Sequence, residues 1–265
     1  MNRITTSLVI STYNKPQYLN MCLKSAMNQT VMPDEIVVAD DGSTAETAEL
    51  IRSFSQQSAV PIVHVWQEDD GFRLCQIRNK AFAKCKGEYI IQSDGDIIFG
   101  RHFVQDHLYL AERGFFVCGS RVYLTPDGTR KMFDRECVTP KFSYMQSSHI
   151  LNSVRIKPLQ KYFALRYGKR IDKLRGCNMA FWKDDIIKVN GYNENLTFWG
   201  HEDGELAYRL HFAGVKKKFL KNGGVCFHLY HDESSRENEI VHLNAIKNVI
   251  DNKLQRCENG IDKYL

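Results

Sequence analysis

Apolar residues in the first hundred positions fall into short contiguous runs, separated by stretches where they recur every three or four residues. The runs Leu8-Val9-Ile10, Ile36-Val37-Val38-Ala39, Ile62-Val63-His64-Val65-Trp66 and Tyr89-Ile90-Ile91 predict buried strands. Leu19, Cys22, Leu23 and Ala26 predict a helix. Leu50, Ile51 and Phe54 predict a second, opened by a capping box of Ser43 and Glu46, and Leu74, Ile77, Ala81 and Cys85 a third. This alternation predicts an α/β fold: an open, mostly parallel sheet with helices on both faces.

The second half is less regular. Residues 121–150 predict only short strands and turns. Residues 150–175 are basic and apolar together, with eight lysines and arginines against the single acid Asp172 and with Leu159, Tyr162, Phe163 and Leu165 interleaved. That stretch predicts either a face resting on anionic lipid or a solvated helix pair or lid. Residues 176–231 regain strand and helix character, and Ile240, Leu243, Ile246 and Ile250 predict a final helix.

Composition narrows the class. A chain of 265 residues with 43% hydrophobic content supports one large core. Its net charge of +5 suits nucleotide phosphates or an acidic membrane surface without calling for nucleic acid. Eight scattered cysteines with no Cys-x-x-Cys pair point to a reduced, cytoplasmic setting. No segment reaches the roughly eighteen apolar residues of a membrane span, and none at the N-terminus resembles a signal, so contact with a membrane would be peripheral.

In open α/β sheets ligands gather at the carboxyl ends of the strands. Here those ends carry Thr12-Tyr13-Asn14, Asp40-Asp41-Gly42, Glu68-Asp69-Asp70 and Asp94-Gly95-Asp96. The last pair, with a glycine to turn the backbone, can hold Mg2+ or Mn2+ against a diphosphate. A carboxylate at Asp40 or Asp41 can accept the imide N–H of uracil, and Arg78 can reach phosphates or base as a fixed cation. Trp199-Gly200-His201-Glu202-Asp203 opens a helix. An indole there can stack on a sugar ring, with Asp203 taking a proton from an attacking hydroxyl and Glu202 holding the acceptor. His228 and His231 are near neighbours, and one imidazole could complete a cation's shell.

Together, Ser11-Thr12-Tyr13-Asn14, Asp40-Asp41-Gly42-Ser43, Asp94-Gly95-Asp96 and Glu202-Asp203, in this order and spacing, resemble the family 2 glycosyltransferases of GT-A fold. Gln67-Glu68-Asp69-Asp70-Gly71-Phe72-Arg73, Ile77-Arg78-Asn79 and Trp199-Gly200-His201-Glu202-Asp203 are similar to bacterial chondroitin-polymerase-type transferases. They also resemble the galactosyl- and N-acetylgalactosaminyltransferase C-terminal motif. The resemblance covers residues 5 to 232.

It implies a UDP-sugar donor, Mn2+ or Mg2+, inversion at the anomeric carbon, and an oligosaccharide or lipid-linked glycan acceptor of bacterial capsule or lipopolysaccharide. Thr12 and Tyr13 would flank the uridine, with Asn14, Asp40, Asp41, Arg78, Asp94 and Gly95 completing the donor site. Asp94 and Asp96 fall on the D-x-D positions. Asp203 falls on the catalytic base, and Trp199, Gly200 and Glu202 on the acceptor side. His231 matches the metal histidine in Cys-x-x-x-x-His counted from Cys226, with His228 the alternative. Residues 1–120 would form the nucleotide-sugar half, 121–235 the acceptor and catalytic-base half, and 236–265 a C-terminal helix. One catalytic domain reads as a single-linkage transferase, cytoplasmic or peripheral on the inner face of the plasma membrane. The rivals are a sugar-phosphate nucleotidyltransferase, whose glycine-rich basic loop is missing from residues 11–16, and a non-catalytic nucleotide-sugar binding module.

Overall fold

The computed structural model describes residues 3–198, 200–232 and 239–265. Chain order begins β1 (Thr6–Thr12), α1 (Pro16–Ala26), β2 (Glu35–Asp40), α2 (Ala45–Gln57), β3 (Ile62–Trp66), α3 (Leu74–Lys84) and β4 (Tyr89–Asp94). It continues with β5 (Ile97–Phe99), α4 (Phe103–Leu110), β6 (Phe115–Gly119), β7 (Val122–Tyr123), α5 (Pro126–Asp134), α6 (Lys157–Gly168), β8 (Met179–Trp182) and α7 (Lys183–Lys188). The last elements are α8 (Glu202–Phe212), β9 (Lys216–Leu220), β10 (Cys226–His228) and α9 (Glu239–Asn252).

Seven strands make the main sheet in the order β3-β2-β1-β4-β8-β6-β9. The first four are parallel; β8 runs antiparallel to both β4 and β6, which makes the sheet mixed. The strand centres are mostly apolar because helices cover both faces: Leu8 and Ile10 of β1 pack under α1 and α2, while Val9 points to the opposite face with Ile77, Ala81 and Phe82 of α3. A second, three-stranded sheet has the order β5-β10-β7.

Register places the chemistry. Thr12 lies beside Asp40 and Ser11 beside Asp94, so the acidic ends of β2 and β4 flank the end of β1 on one edge. In the small sheet His228 pairs with Ile97 of β5, which brings it level with Asp96.

Two local expectations are corrected. Ser43 does not cap α2: Thr44 holds the cap position, and Ser43 Oγ accepts from the Asn14 amide instead. Residues 121–150 are more than strands and turns. They hold α5, which starts where Thr125 Oγ1 accepts from the Gly128 amide ahead of Pro126. Among the described residues no helix is long and apolar enough to cross a membrane.

Candidate active site

Arg78 is the hub. Although 1% exposed, it makes ion pairs with Asp94 Oδ1 at 3.0 Å, Glu202 Oε1 at 3.2 Å and Asp203 Oδ1 at 3.3 Å. Its Nε donates to Ser11 Oγ at 3.2 Å. A buried guanidinium is tolerable only when its five donors are occupied, and here three distant segments supply the acceptors. Three carboxylates share one cation, so the cluster stays net negative. Burial, with the neighbouring acids, raises the Asp94 carboxyl to about 6 and that of Glu202 to about 7 against the pull of Arg78.

Asp203 is held from three sides. Its Oδ1 accepts from the Tyr192 hydroxyl at 2.6 Å, from Arg78, and from Gln92 Nε2 at 3.4 Å. Its Oδ2 lies over Gly176, where a Cβ would sit 1.9 Å away. Tyr192 is itself clamped: Asn79 Oδ1 accepts from its amide and Asn79 Nδ2 donates to its carbonyl, both at 2.8 Å. The loop before it is tied to α8 by Arg209, which binds Glu205 and the carbonyls of Val189 and Gly191. Gly200 and His201, both with positive φ, turn the chain so that α8 begins with Glu202 and Asp203 in its first turn.

Asp96, His228 and His231 form a separate cluster in which one ligand atom from each lies within 4.8 Å of the others. His231 Nε2 is 2.9 Å from Asp96 Oδ2, and His228 Nε2 is 3.8 Å from Oδ1. Asp96 Oδ1 and His228 Nδ1 are buried without a hydrogen-bond partner. Burial lowers His228 to about 4, with Asp96 pulling the other way, so its ring is neutral and its lone pair available. Burial works against the Asp96 carboxylate, but the His231 hydrogen bond and the two rings hold its pKa below the ordinary value. The same bond raises His231. An orphaned carboxylate oxygen facing two imidazoles fits a divalent cation. Asp94 is not part of this trio. Its oxygen is spent on Arg78.

At the ends of β1 and β2, Asp40 is fully buried, with Oδ1 accepting from the Ser43 amide and Oδ2 paired to His64 Nε2 at 2.9 Å. Asp41 accepts from Gln67 Nε2 and from the Arg73 amide at 2.9 Å. Those partners line an open cleft of about 400 Å³, together with Glu68, Asp69, Asp70 and Lys80. Thr12 is buried at the end of β1. Tyr13 is half exposed, and its hydroxyl donates to Asp69 at 2.8 Å. Asn14, with φ +45°, locks this turn by accepting from the Thr44 amide. Gly95 lets the backbone close on β1, its amide donating to the Ser11 carbonyl at 2.7 Å. Trp199 lies outside the described residues.

The structure thus brings Asp94, Arg78, Glu202 and Asp203 together, sets Asp96, His228 and His231 beside them, and turns Asp40 inward. Sequence reasoning passed over Gln92, Tyr192 and Gly176. Gln92 had a signal, being polar inside an otherwise apolar strand; nothing marks a loop tyrosine or glycine in advance.

An α/β/α sandwich with its acids collected at the sheet's carboxyl edge defines the GT-A glycosyltransferase fold. Solved structures agree. A mannosyltransferase from Pyrobaculum calidifontis, in complex with GDP-Man and Mn2+, superposes with a TM-score of 0.64 at 19% identity, covering 94% of this chain and 65% of its own. TarS from S. aureus in complex with UDP gives 0.64 at 16% identity, covering 98% and 68%. The chain belongs to glycosyl transferase family 2, whose description matches residues 7–170; the N-terminal domain of galactosyltransferase matches residues 159–232. It is 30% identical over 251 residues to the chondroitin synthase of Escherichia coli, a match covering 88% of this chain and 35% of that protein, so the chain spans about a third of its length.

Proposed function

We propose that this chain transfers a hexose or N-acetylhexosamine from a UDP-sugar to a glycan acceptor with inversion, using Asp203 as general base. The observation that carries this reading is the Arg78 hub, which gathers Asp94 from the end of β4 and Glu202 and Asp203 from the start of α8 around one buried cation. Tyr192, Arg78 and Gln92 all load Oδ1 of Asp203, leaving Oδ2 to take the acceptor's proton as its oxygen attacks the anomeric carbon. Glu202 orients the acceptor. The base of the nucleotide sits against Asp41 rather than Asp40, because the partners of Asp41 line the open cleft while Asp40 is enclosed.

Asp96, His228 and His231 would hold Mn2+, which two imidazoles favour over the all-oxygen shell of Mg2+. When bound, the ion neutralises charge developing on the diphosphate. The chondroitin synthase resemblance and the UDP complex of TarS support a UDP-sugar and a bacterial surface polysaccharide. A panel of UDP-sugars assayed for Mn2+-dependent UDP release tests the reading; absence of release with every donor and glycan acceptor refutes it.

A peripheral membrane contact belongs to the same reading. On α6, Ala164 and Gly168 pack inward, while Tyr162 is 66% and Leu165 57% exposed among Lys157, Lys161, Arg166 and Lys169. Apolar rings and cations on one outward face suit an anionic bilayer bearing a lipid-linked acceptor. Flotation with anionic vesicles, lost in Tyr162→Ser/Leu165→Ser, checks it.

A further inference from the structure

The two fully buried arginines are spent on carboxylates, whereas the partly buried Arg121 is not. Arg78 serves three acids and Arg209 serves Glu205. Arg121, in the turn between β6 and β7, forms no ion pair among the described residues. Its guanidinium lies 4.5 Å from the centre of the Tyr123 ring and donates to the Tyr123 hydroxyl. Its Nη1 donates to Cys177 Sγ at 3.7 Å, and its Nε is buried with no partner. A phenol and a thiol are neutral acceptors. They hold the plane of the guanidinium without cancelling its charge, and a largely enclosed cation lacking a counterion is costly.

The location tells what would cancel it. The Tyr123 ring packs on the His228 ring with centroids 5.2 Å apart and on the His149 ring at 4.9 Å. Strand β7 pairs with β10 so that Tyr123 stands opposite His228. Arg121 is therefore one aromatic ring away from the Asp96, His228 and His231 trio. The carbonyl of Arg121 accepts from Asn152 Nδ2 at 3.3 Å, which ties the turn to the segment leading into α6.

We propose that Arg121 is an oxyanion-binding residue of the donor site, set by Tyr123 and Cys177 to receive an anionic group of the sugar nucleotide. A guanidinium plane with an unspent Nε offers the paired donors that phosphoryl or carboxylate oxygens take. The oxyanion is either the outer phosphate of the diphosphate or the carboxylate of a uronosyl donor. This inference rests on the glycosyltransferase reading above.

Calorimetric titration of UMP, UDP, UDP-glucose and UDP-glucuronate, each with Mn2+, into wild type, Arg121→Gln and Arg121→Lys separates the possibilities. If the phosphate is the ligand, Arg121→Gln weakens UDP by roughly tenfold or more while UMP is unchanged. If the carboxylate is the ligand, UDP binding is kept and the preference for UDP-glucuronate over UDP-glucose falls by a similar factor. Arg121→Lys restores part of either loss. Four affinities within twofold of wild type in Arg121→Gln, or a loss shared equally by UMP, overturn the proposal. Should Arg121→Gln fail to fold by thermal melt, Tyr123→Phe frees the guanidinium while keeping its charge, and must show the same selective pattern in weaker form. A wild type that binds none of the four nucleotides overturns the donor reading itself, and this inference with it.

Discussion

The hydroxyl of Tyr192 donates to Asp203 Oδ1 across 2.6 Å, eleven positions away along the chain. A short hydrogen bond from a neutral donor fixes which way the carboxylate faces without consuming its charge. Tyr192→Phe removes that bond and the hydroxyl's contact with Gln92 Oε1 at 2.9 Å, while Asn79 still clamps the backbone on either side of the ring. Turnover should fall about tenfold to a hundredfold, as befits a lost orienting contact, with donor affinity unchanged. Steady-state kinetics on the variant check this, and an unaltered kcat would remove Tyr192 from the account.

Gly176 gives a second test. A Cβ at this position would stand 1.9 Å from Asp203 Oδ2, and Asp203 cannot swing away cheaply because Tyr192, Arg78 and Gln92 restrain it. Gly176→Ala should cost well over tenfold in kcat while UDP affinity stays near wild type. Equal losses in both would mean that the substitution disturbs the whole site rather than the base.

Glu202 links activity to stability. Its carboxyl titrates at about 7 in the folded chain, raised chiefly by burial and then by Asp203. The unfolded chain gives up this proton near the ordinary glutamate value of about 4.3, so folding becomes less favourable as pH climbs from there to about 7. Glu202→Gln removes the titration while keeping an oxygen for Arg78. Its melting temperature should equal that of wild type near pH 4.5 and exceed it by a growing margin up to pH 8. A margin independent of pH contradicts the assignment.

Cation binding should depend on pH in the opposite sense. His228 is already neutral at pH 7, whereas the Asp96 bond raises His231 above the ordinary imidazole value. A proton on His231 competes with the ion, so Mn2+ affinity should rise as pH passes upward through that raised value. His231→Ala should flatten the profile and weaken binding, and Asp96→Ala should abolish it, both read by titration calorimetry.

Much of this architecture was legible because buried parallel strands are apolar at their centres: β1 to β4 each show a short run dominated by apolar residues. The far side of the sheet was harder to read. Strand β9 carries Lys217 and Lys218, whose stems are buried while their amines reach the carbonyls of Arg170 and Lys173 and the Glu112 carboxylate. Helix α5 hides behind Pro126-Asp127-Gly128, which reads as a turn until Thr125 is seen to cap it. At the site, the motifs located the acids but not their allegiances. Asp94 and Asp96 are two residues apart, yet the β4–β5 turn sends one to Arg78 and the other to the histidines, a division that only tertiary pairing sets.

The proton acceptor remains the centre of the account. The decisive measurement is acceptor-dependent UDP release by wild type and Asp203→Asn, side by side with their Mn2+-UDP affinities. Transfer should drop by about a thousandfold or more in the variant with nucleotide affinity preserved, since general-base loss alone is worth about 10²–10⁴. Transfer at the wild-type rate in Asp203→Asn would contradict the account.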